Sequence, residues 1–256
     1  MTSRKLFYVV LHLVVLMAAN FNSSAQKLRI AVAANAQGVI KKLQADFKKR
    51  TGIETEAIIG ASGKLTAQIM NGAPYEVFLS ADTEFPEKLF NGGFGLVKPK
   101  IYAVGSLIVC GSAKGDFKNW RAFLTTETIK RIAIANPKTA PYGRAAEESL
   151  KFYNLDSKVK SKLVFGESIS QINTYLQTGV VNIGFTTESF LYENGDKSGL
   201  KWERVDQKSY SKIEQAVILL SYAKKSGNVN AQKFYDYLSS SSAKKIIASN
   251  GYHLPK

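Results

Sequence analysis

The chain of 256 residues is poor in the side chains on which metal sites and disulfides depend, since it has one cysteine and two histidines. The single cysteine, Cys110, excludes a disulfide within the chain and is predicted to be a small buried side chain. Because His12 lies in the N-terminal segment, only His253 remains elsewhere. A zinc site built from His and Cys is thereby excluded. A Ser-His-Asp triad would have to use His253, close to the C-terminus.

Beyond its N-terminus the sequence also lacks an apolar run of membrane-spanning length. The N-terminus itself has the pattern of a secretory signal peptide: Arg4-Lys5, then the apolar run Leu6–Ala18, then the small residues Ser23-Ser24-Ala25. We therefore predict that residues 1–25 are a cleavable signal peptide and that the mature protein is periplasmic. A lipid anchor is not expected, because no cysteine lies near the cleavage point.

Acidic residues are few relative to basic ones, with 20 Asp and Glu against 35 Lys and Arg and a formal net charge of +15. For an exported protein we expect no nucleic-acid partner. The excess of positive charge is compatible with an anionic ligand or an anionic partner surface. It is equally compatible with lysines that simply solvate the exposed faces of helices.

Apolar strands alternate with amphipathic helices along the chain, a pattern typical of the α/β class with parallel strands. The strand Leu28–Ala33, for example, precedes a helix with Val39, Ile40, Leu43 and Phe47 on one face. The run Tyr102–Cys110 is broken by Gly105, which predicts a bend or a close backbone approach, and we interpret it as a crossing between two lobes. The predicted lobes are 26–102 plus 216–256 and 103–215, joined by a hinge of two strands.

Small or polar residues follow several predicted strands where a helix begins. The four junctions are Ala34-Asn35-Ala36, Gly60-Ala61-Ser62-Gly63, Asn136 to Gly143 and Gly166 to Ser170. Two fall in each lobe, so closure of the lobes would bring all four to one cleft. Helix N-termini offer free N–H groups and a partial positive charge. Since an ionised oxyanion has only acceptors, this donor set suits a small tetrahedral dianion.

Other ligands and activities are less compatible with these junctions. The segment Gly60–Lys64 has the wrong spacing for a nucleotide-binding P-loop, and Lys64 is expected to be exposed. An amino-acid binder would need an Arg and a carboxylate in the cleft, whereas Arg144 is expected to point away from it. A hydrolase using Ser62 would depend on His253 as its base.

Several longer motifs resemble the periplasmic molybdate-binding proteins of ABC transporters over nearly the whole mature chain. The motifs are Ala-Val-Ala-Ala-Asn35, Gly60-Ala-Ser62-Gly, Gln68 to Asp82, Pro86-Glu-Lys-Leu89, Ala135 to Gly143, Gln215-Ala-Val217 and Gly251-Tyr252. The resemblance implies the two-lobed type II periplasmic binding protein fold, an α/β architecture. In this fold two mixed or parallel sheets are flanked by helices and joined by a two-strand hinge.

The resemblance also implies which residues bind the oxyanion. Asn35 is expected to donate its backbone N–H and side-chain amide, and Ser62 its N–H and hydroxyl. Tyr142 and Ile169 are expected to donate backbone N–H groups, so the side chain of Ile169 should be replaceable. The site is flanked by Ala34 and Ala61. At Ala34 one branch of the family has threonine, so this chain lacks one hydroxyl donor there.

From the resemblance we expect a monomeric solute-binding protein, not an enzyme, that captures molybdate and also tungstate by lobe closure. It is expected to deliver this cargo to an ABC permease in the inner membrane and to use no cofactor. The molybdenum would be held as its oxyanion, without direct metal ligands. The alternative is a binding protein for another tetrahedral oxyanion, such as sulfate or phosphate.

Overall fold

A computed structural model describes residues 27–194 and 199–255 of the chain. The predicted signal peptide, residues 1–25, lies outside these residues and stays a prediction. Within the described ranges, every helix is too short or too polar to cross a membrane.

The described residues form two five-stranded sheets, each with parallel and antiparallel pairs. The first sheet has the order β2-β1-β3-β10-β4, and its strands are β1 (Leu28–Ala33), β2 (Thr55–Gly60), β3 (Val77–Leu79), β4 (Lys100–Gly105) and β10 (Ile213–Leu219). The second sheet has the order β7-β6-β8-β5-β9, and its strands are β5 (Leu107–Gly111), β6 (Ile132–Ala135), β7 (Leu163–Gly166), β8 (Ile183–Thr187) and β9 (Lys201–Arg204).

Helices flank both sheets, as the α/β alternation predicts. In chain order they are α1 (Gln37–Thr51), α2 (Ser62–Met70), α3 (Glu84–Asn91), α4 (Trp120–Thr125), α5 (Pro141–Phe152), α6 (Asp156–Val159), α7 (Ile169–Gln177), α8 (Ser189–Asn194), α9 (Ser221–Ser226), α10 (Asn230–Tyr237) and α11 (Ser241–Ala248). Helix α1 buries Val39, Ile40, Leu43 and Phe47, the face that its periodicity predicts. It ends at Gly52, whose φ of 72° is the left-handed conformation that favours glycine.

Because the strands pair in parallel, the N-termini of the helices that follow them lie at the same edge of each sheet. Strand β1 pairs in parallel with β2 and β3, and β6 pairs in parallel with β7 and β8. The C-terminal ends of β1 and β2 therefore share one edge of the first sheet, and those of β6 and β7 share one edge of the second. The helices that follow these strands therefore begin at that edge.

The run 102–110 forms two strands, one in each sheet, with Ser106 between them. A side chain at Gly105 would overlap the hydroxyl of Tyr142, so the close backbone approach expected there is present. Strand β10 returns the chain to the first sheet, where it pairs antiparallel with β3 and β4. The boundaries of the lobes at 26–102 plus 216–256 and 103–215 stay a prediction.

Each sheet has its own apolar core. In the first, Phe47 of α1 meets Phe234 of α10 edge to face, with ring centroids 5.1 Å apart. In the second, Trp120 and Phe185 make a similar contact at 5.6 Å. Cys110 is buried in this second core, as predicted, and burial raises the pKa of its thiol to about 12.

Candidate functional site

The first helix start directly follows β1. Residues Ala34–Ala36 form one 3₁₀ turn that leads straight into α1, and Asn35 is buried in that turn. The first N–H groups of a helix have no acceptor within the helix. Asn35 therefore offers a backbone donor at the edge of the first sheet.

The second helix start combines two donors on one residue. Ala61, in an extended conformation, precedes α2, and Ser62 is the first residue of that helix. The Ser62 hydroxyl oxygen accepts the N–H of Ala81 at 3.1 Å. Since this bond occupies only a lone pair, the hydroxyl hydrogen can still be donated to another acceptor. The backbone N–H of Ser62 lies in the same first turn.

Two further helix starts come from the second sheet. Helix α5 begins at Pro141, a residue suited to this position because it has no N–H to leave unpaired. Tyr142 follows it, so the Tyr142 N–H lies in the first turn of α5. Helix α7 begins at Ile169, with Ser168 before it in an extended conformation. Both N–H groups lack an acceptor within their helix.

Hydrogen bonds between the two sheets' elements join these helix starts. The Gly63 N–H donates to the Thr139 carbonyl at 2.9 Å, and the Ser170 hydroxyl donates to Gln37 Oε1 at 2.6 Å. The residues predicted for the site are all between 1% and 4% exposed: Ala34, Asn35, Ala61, Ser62, Tyr142 and Ile169. All six are therefore buried, and these two hydrogen bonds join helix starts of the first sheet to helix starts of the second.

The side chain of Asn35 has a role that the sequence did not predict. Its Nδ2 donates to Gln215 Oε1 at 2.8 Å and to the Tyr252 hydroxyl at 3.2 Å. Its backbone carbonyl accepts the hydroxyls of Tyr252, at 2.7 Å, and of Ser189, at 3.1 Å. Both amide hydrogens of Asn35 therefore have acceptors in the protein, and the residue is held from the hinge strand, the C-terminal segment and the second lobe.

Gln215 connects the two sides of the site. Besides Asn35, its Oε1 accepts the Tyr102 hydroxyl at 3.0 Å, and its Nε2 donates to the Tyr142 hydroxyl at 3.3 Å. Gln215 is completely buried and lies at a register shift in β10. Sequence reasoning treated Gln215 and Tyr252 only as family markers. A glutamine directly before the apolar run Ala216–Leu219 of β10 is the signal that could have identified this contact.

The tyrosines of this network remain protonated hydrogen-bonding groups at physiological pH. Burial raises the pKa of Tyr252 to about 12, and it raises the pKa values of Tyr142 and Tyr102 well above their ordinary value. Tyr142 also accepts the hydroxyl of Thr187 at 3.1 Å. The aromatic side chain of Tyr142 therefore belongs to the supporting network, while its N–H lies at the helix start.

Charged residues surround the site in pairs that link the two lobes. Lys64, half exposed as predicted, pairs with Glu167. Arg144, which was expected to point away from the ligand, reaches Asp82 at 2.8 Å and also pairs with Glu84. An arginine with two carboxylate partners of its own provides no free pair for an amino-acid ligand.

His253 lies at the hinge. Its backbone forms a two-way hydrogen-bonded bridge with Val104, at 2.8 Å in each direction, whereas the Ser62 hydroxyl is bonded to Ala81. This placement does not favour a hydrolase that uses Ser62 and His253. Across the described residues, no group of three or more His, Cys, Asp or Glu side chains could hold a metal ion.

Comparisons with known proteins agree with this geometry. The family model described as bacterial extracellular solute-binding protein matches residues 28–253. Molybdate-binding protein ModA of Azotobacter vinelandii is 37% identical over 233 residues, which cover 91% of this chain and 92% of that protein. Molybdate-binding protein ModA of Rhodobacter capsulatus is 34% identical over 241 residues, covering 94% and 93%.

Solved structures confirm the fold class expected from the sequence. The periplasmic molybdate-binding protein of Azotobacter vinelandii superimposes with a TM-score of 0.84 at 32% identity, covering 90% of this chain and 100% of that one. The sulfate-binding protein SubI of Mycobacterium tuberculosis H37Rv gives a TM-score of 0.72 at 14% identity, covering 89% and 86%. At that identity the likeness to the sulfate-binding protein shows the fold alone.

Proposed function

The chain belongs to the bacterial extracellular solute-binding protein family, and we propose that it captures molybdate, and also tungstate, between its two lobes. The resemblance predicted from the sequence is confirmed by relatives at 37% and 34% identity over most of the chain. Membership of a family of solute-binding proteins makes the chain a binding protein rather than an enzyme.

The observation that carries the proposal is the composition of the enclosed helix starts. Of the six buried residues, four offer backbone N–H groups at helix starts, Ser62 adds a hydroxyl hydrogen, and none of the six is charged. Such a set pairs with a fully ionised oxyanion, which only accepts hydrogen bonds. The partial positive charge of the helix N-termini stabilises the dianion without a lysine or arginine in contact with it.

The proposed ligand-binding residues are Asn35, Ser62, Tyr142, Ile169, Ala34 and Ala61. Ser62 donates its N–H and its hydroxyl, while Tyr142 and Ile169 donate backbone N–H groups. The resemblance implies that the side-chain amide of Asn35 also donates a hydrogen bond to the ligand. Because both hydrogens of that amide have protein acceptors in this structure, we propose that Asn35 acts through its backbone N–H. The alanines flank the oxyanion, and the molybdenum is held through oxygen, as cargo rather than as a cofactor.

Size is the proposed basis for rejecting sulfate. Sulfate is the smaller anion, so it would leave some of the buried donors unpaired, at a cost of about 1–3 kcal/mol for each. Hydrogen phosphate carries a hydroxyl that needs an acceptor, and the six residues offer mainly donors. The other-oxyanion alternative is therefore the less favoured one.

The remaining parts of the proposal concern the protein's surroundings. We propose a monomer in the periplasm that hands its cargo to an inner-membrane ABC permease, and we propose no role for nucleic acid. The family description as an extracellular solute-binding protein supports the location and the permease partner. The net charge of +15 suits an anionic ligand.

Isothermal titration of the purified protein with molybdate, tungstate, sulfate and phosphate tests the ligand. We expect heat of binding with the first two anions and much weaker heat with the others. Heat with sulfate or phosphate and none with molybdate would overturn the assignment.

A further inference from the structure

We propose that Arg144 is a positioning residue that holds the lobes closed around the bound oxyanion by pairing across the cleft with Asp82 and Glu84. The inference rests on the proposed function, because it assigns the Arg144 pair a role in retaining that ligand. Arg144 itself does not belong to the six residues proposed to contact the oxyanion.

The pair joins the start of α5 to the segment that contacts the start of α2. Arg144 lies on α5, two residues after Tyr142, and its Nη2 is 2.8 Å from Asp82 Oδ2. Asp82 directly follows Ala81, whose N–H donates to the Ser62 hydroxyl oxygen. Separation of Arg144 from Asp82 would therefore move the start of α5 away from the segment that orients Ser62.

Asp82 is held in place independently of Arg144. Its Oδ1 accepts the Ser80 hydroxyl at 2.9 Å and the Phe85 N–H at 3.3 Å, which leaves Oδ2 for the guanidinium. A carboxylate that is already ordered loses little conformational freedom when its partner arrives. Glu84, on the exposed side, pairs with the other terminal nitrogen of Arg144.

Burial distinguishes this pair from a second ion pair between the lobes, Lys64 with Glu167. The side chains of Arg144 and Asp82 are 36% and 13% exposed, whereas those of Lys64 and Glu167 are 50% and 58% exposed. Exposed ion pairs contribute little because water screens them. A cavity of about 180 Å³ borders the Arg144 pair and is lined from both lobes, by Thr83 and Pro141 among others. The Arg144 pair thus lies where the two lobes meet, and Lys64 provides a matched control.

The test compares Arg144→Gln with Lys64→Gln by stopped-flow measurement of molybdate association and dissociation. We expect dissociation from Arg144→Gln to be about tenfold faster, as for loss of a charge-assisted hydrogen bond, with association changed less than about twofold. Lys64→Gln should change dissociation less than about twofold. Arg144→Lys should restore part of the loss, because it keeps the charge without the planar fork. Small-angle X-ray scattering reports lobe closure as a fall in the radius of gyration. Addition of molybdate should lower this radius less in Arg144→Gln than in the wild type.

The proposal would be overturned if molybdate dissociated from Arg144→Gln at the wild-type rate. It would also be overturned if Arg144→Gln and Lys64→Gln changed the dissociation rate equally. Ligand-free melting of each variant shows whether it folds. If Arg144→Gln does not fold, Asp82→Asn replaces it, with the same expected rise in dissociation. If the wild type binds another oxyanion instead of molybdate, the proposed ligand fails, and the same rates are measured with that anion. A failed ligand assignment and a failed role for Arg144 are therefore distinguishable.

Discussion

The backbone N–H of Gly63 donates a 2.9 Å hydrogen bond to the carbonyl of Thr139, which joins the start of α2 to the loop before α5. Gly63 follows Ser62, and Thr139 lies three residues before Tyr142. The two backbones approach so closely because residue 63 has no side chain. A Cβ there would lie 2.9 Å from Cζ of Phe85 and 3.1 Å from Cα of Thr139.

Gly63→Ala is expected to weaken oxyanion binding about tenfold, since overpacking of a close contact typically costs about 1–3 kcal/mol. The added methyl group should hinder lobe closure and leave the ligand-free fold intact. Titration calorimetry measures the affinity, and thermal melting shows whether the variant is folded. The exposed substitution Ala67→Ser in the same helix is the control. Equal affinities for Gly63→Ala and the wild type would contradict the close approach in the bound state.

Ser62→Ala is expected to weaken binding by about 1–3 kcal/mol, because it removes a hydrogen bond to a charged acceptor. The substitution also leaves the Ala81 N–H without its acceptor, so a small loss of ligand-free stability is expected. Calorimetry with molybdate is the measurement, and Ser157→Ala at an exposed helical position is the control. Unchanged affinity would mean that Ser62 binds through its backbone alone.

Gln215→Ala is expected to lower the free energy of unfolding by several kcal/mol, since each buried polar group left unpaired costs about 1–3 kcal/mol. Asn35 Nδ2 and the Tyr102 hydroxyl would lose their acceptor, and the Tyr142 hydroxyl would lose a donor. Urea denaturation gives the value, with the exposed Gln177→Ala as control. A loss no larger than that of the control would refute the supporting role of Gln215.

The carboxyl of Asp46 should make stability depend on pH in the acid range. Hydrogen bonds from Arg50, first in importance, and from Ser242 and Tyr237 lower its pKa from 3.8 to about 2. Because the folded pKa is below the unfolded one, the stabilisation is complete above about pH 4. It is lost as the pH falls toward about 2.

Asp46→Asn tests this dependence through urea denaturation at a series of pH values. The difference in unfolding free energy between the wild type and Asp46→Asn should be larger at pH 7 than at pH 2. A difference that stays constant between pH 7 and pH 2 would show that the charge of Asp46 does not contribute.

The parts of the fold that depend on neighbouring residues were predictable. The buried face of α1 follows from its 3.6-residue periodicity, and Pro141 marks the start of α5. The same local patterns placed Asn35 and Ser62 at helix starts. Gly105 likewise marked the point at which the run 102–110 crosses from one sheet to the other.

Contacts between distant segments were not predictable from these patterns. Gln215 lies 180 residues from Asn35, and Arg144 lies 62 residues from Asp82. Since a glutamine side chain has no preferred partner in sequence, its contacts depend on which segments the two sheets bring together. The pairing of Arg144 with Asp82 was not predictable for the same reason, because its partner lies in the other lobe.

The sequence by itself determined the α/β class, the helix starts that offer N–H groups and, through its motifs, the family. These features depend on periodicity, turn residues and local spacing. Only the tertiary structure decided how those helix starts are held. The Asn35 amide donates to Gln215 and Tyr252, and Arg144 pairs with Asp82 of the other lobe. The reason is that lobe closure juxtaposes side chains from separate parts of the chain, and such contacts depend on the packing of the whole molecule.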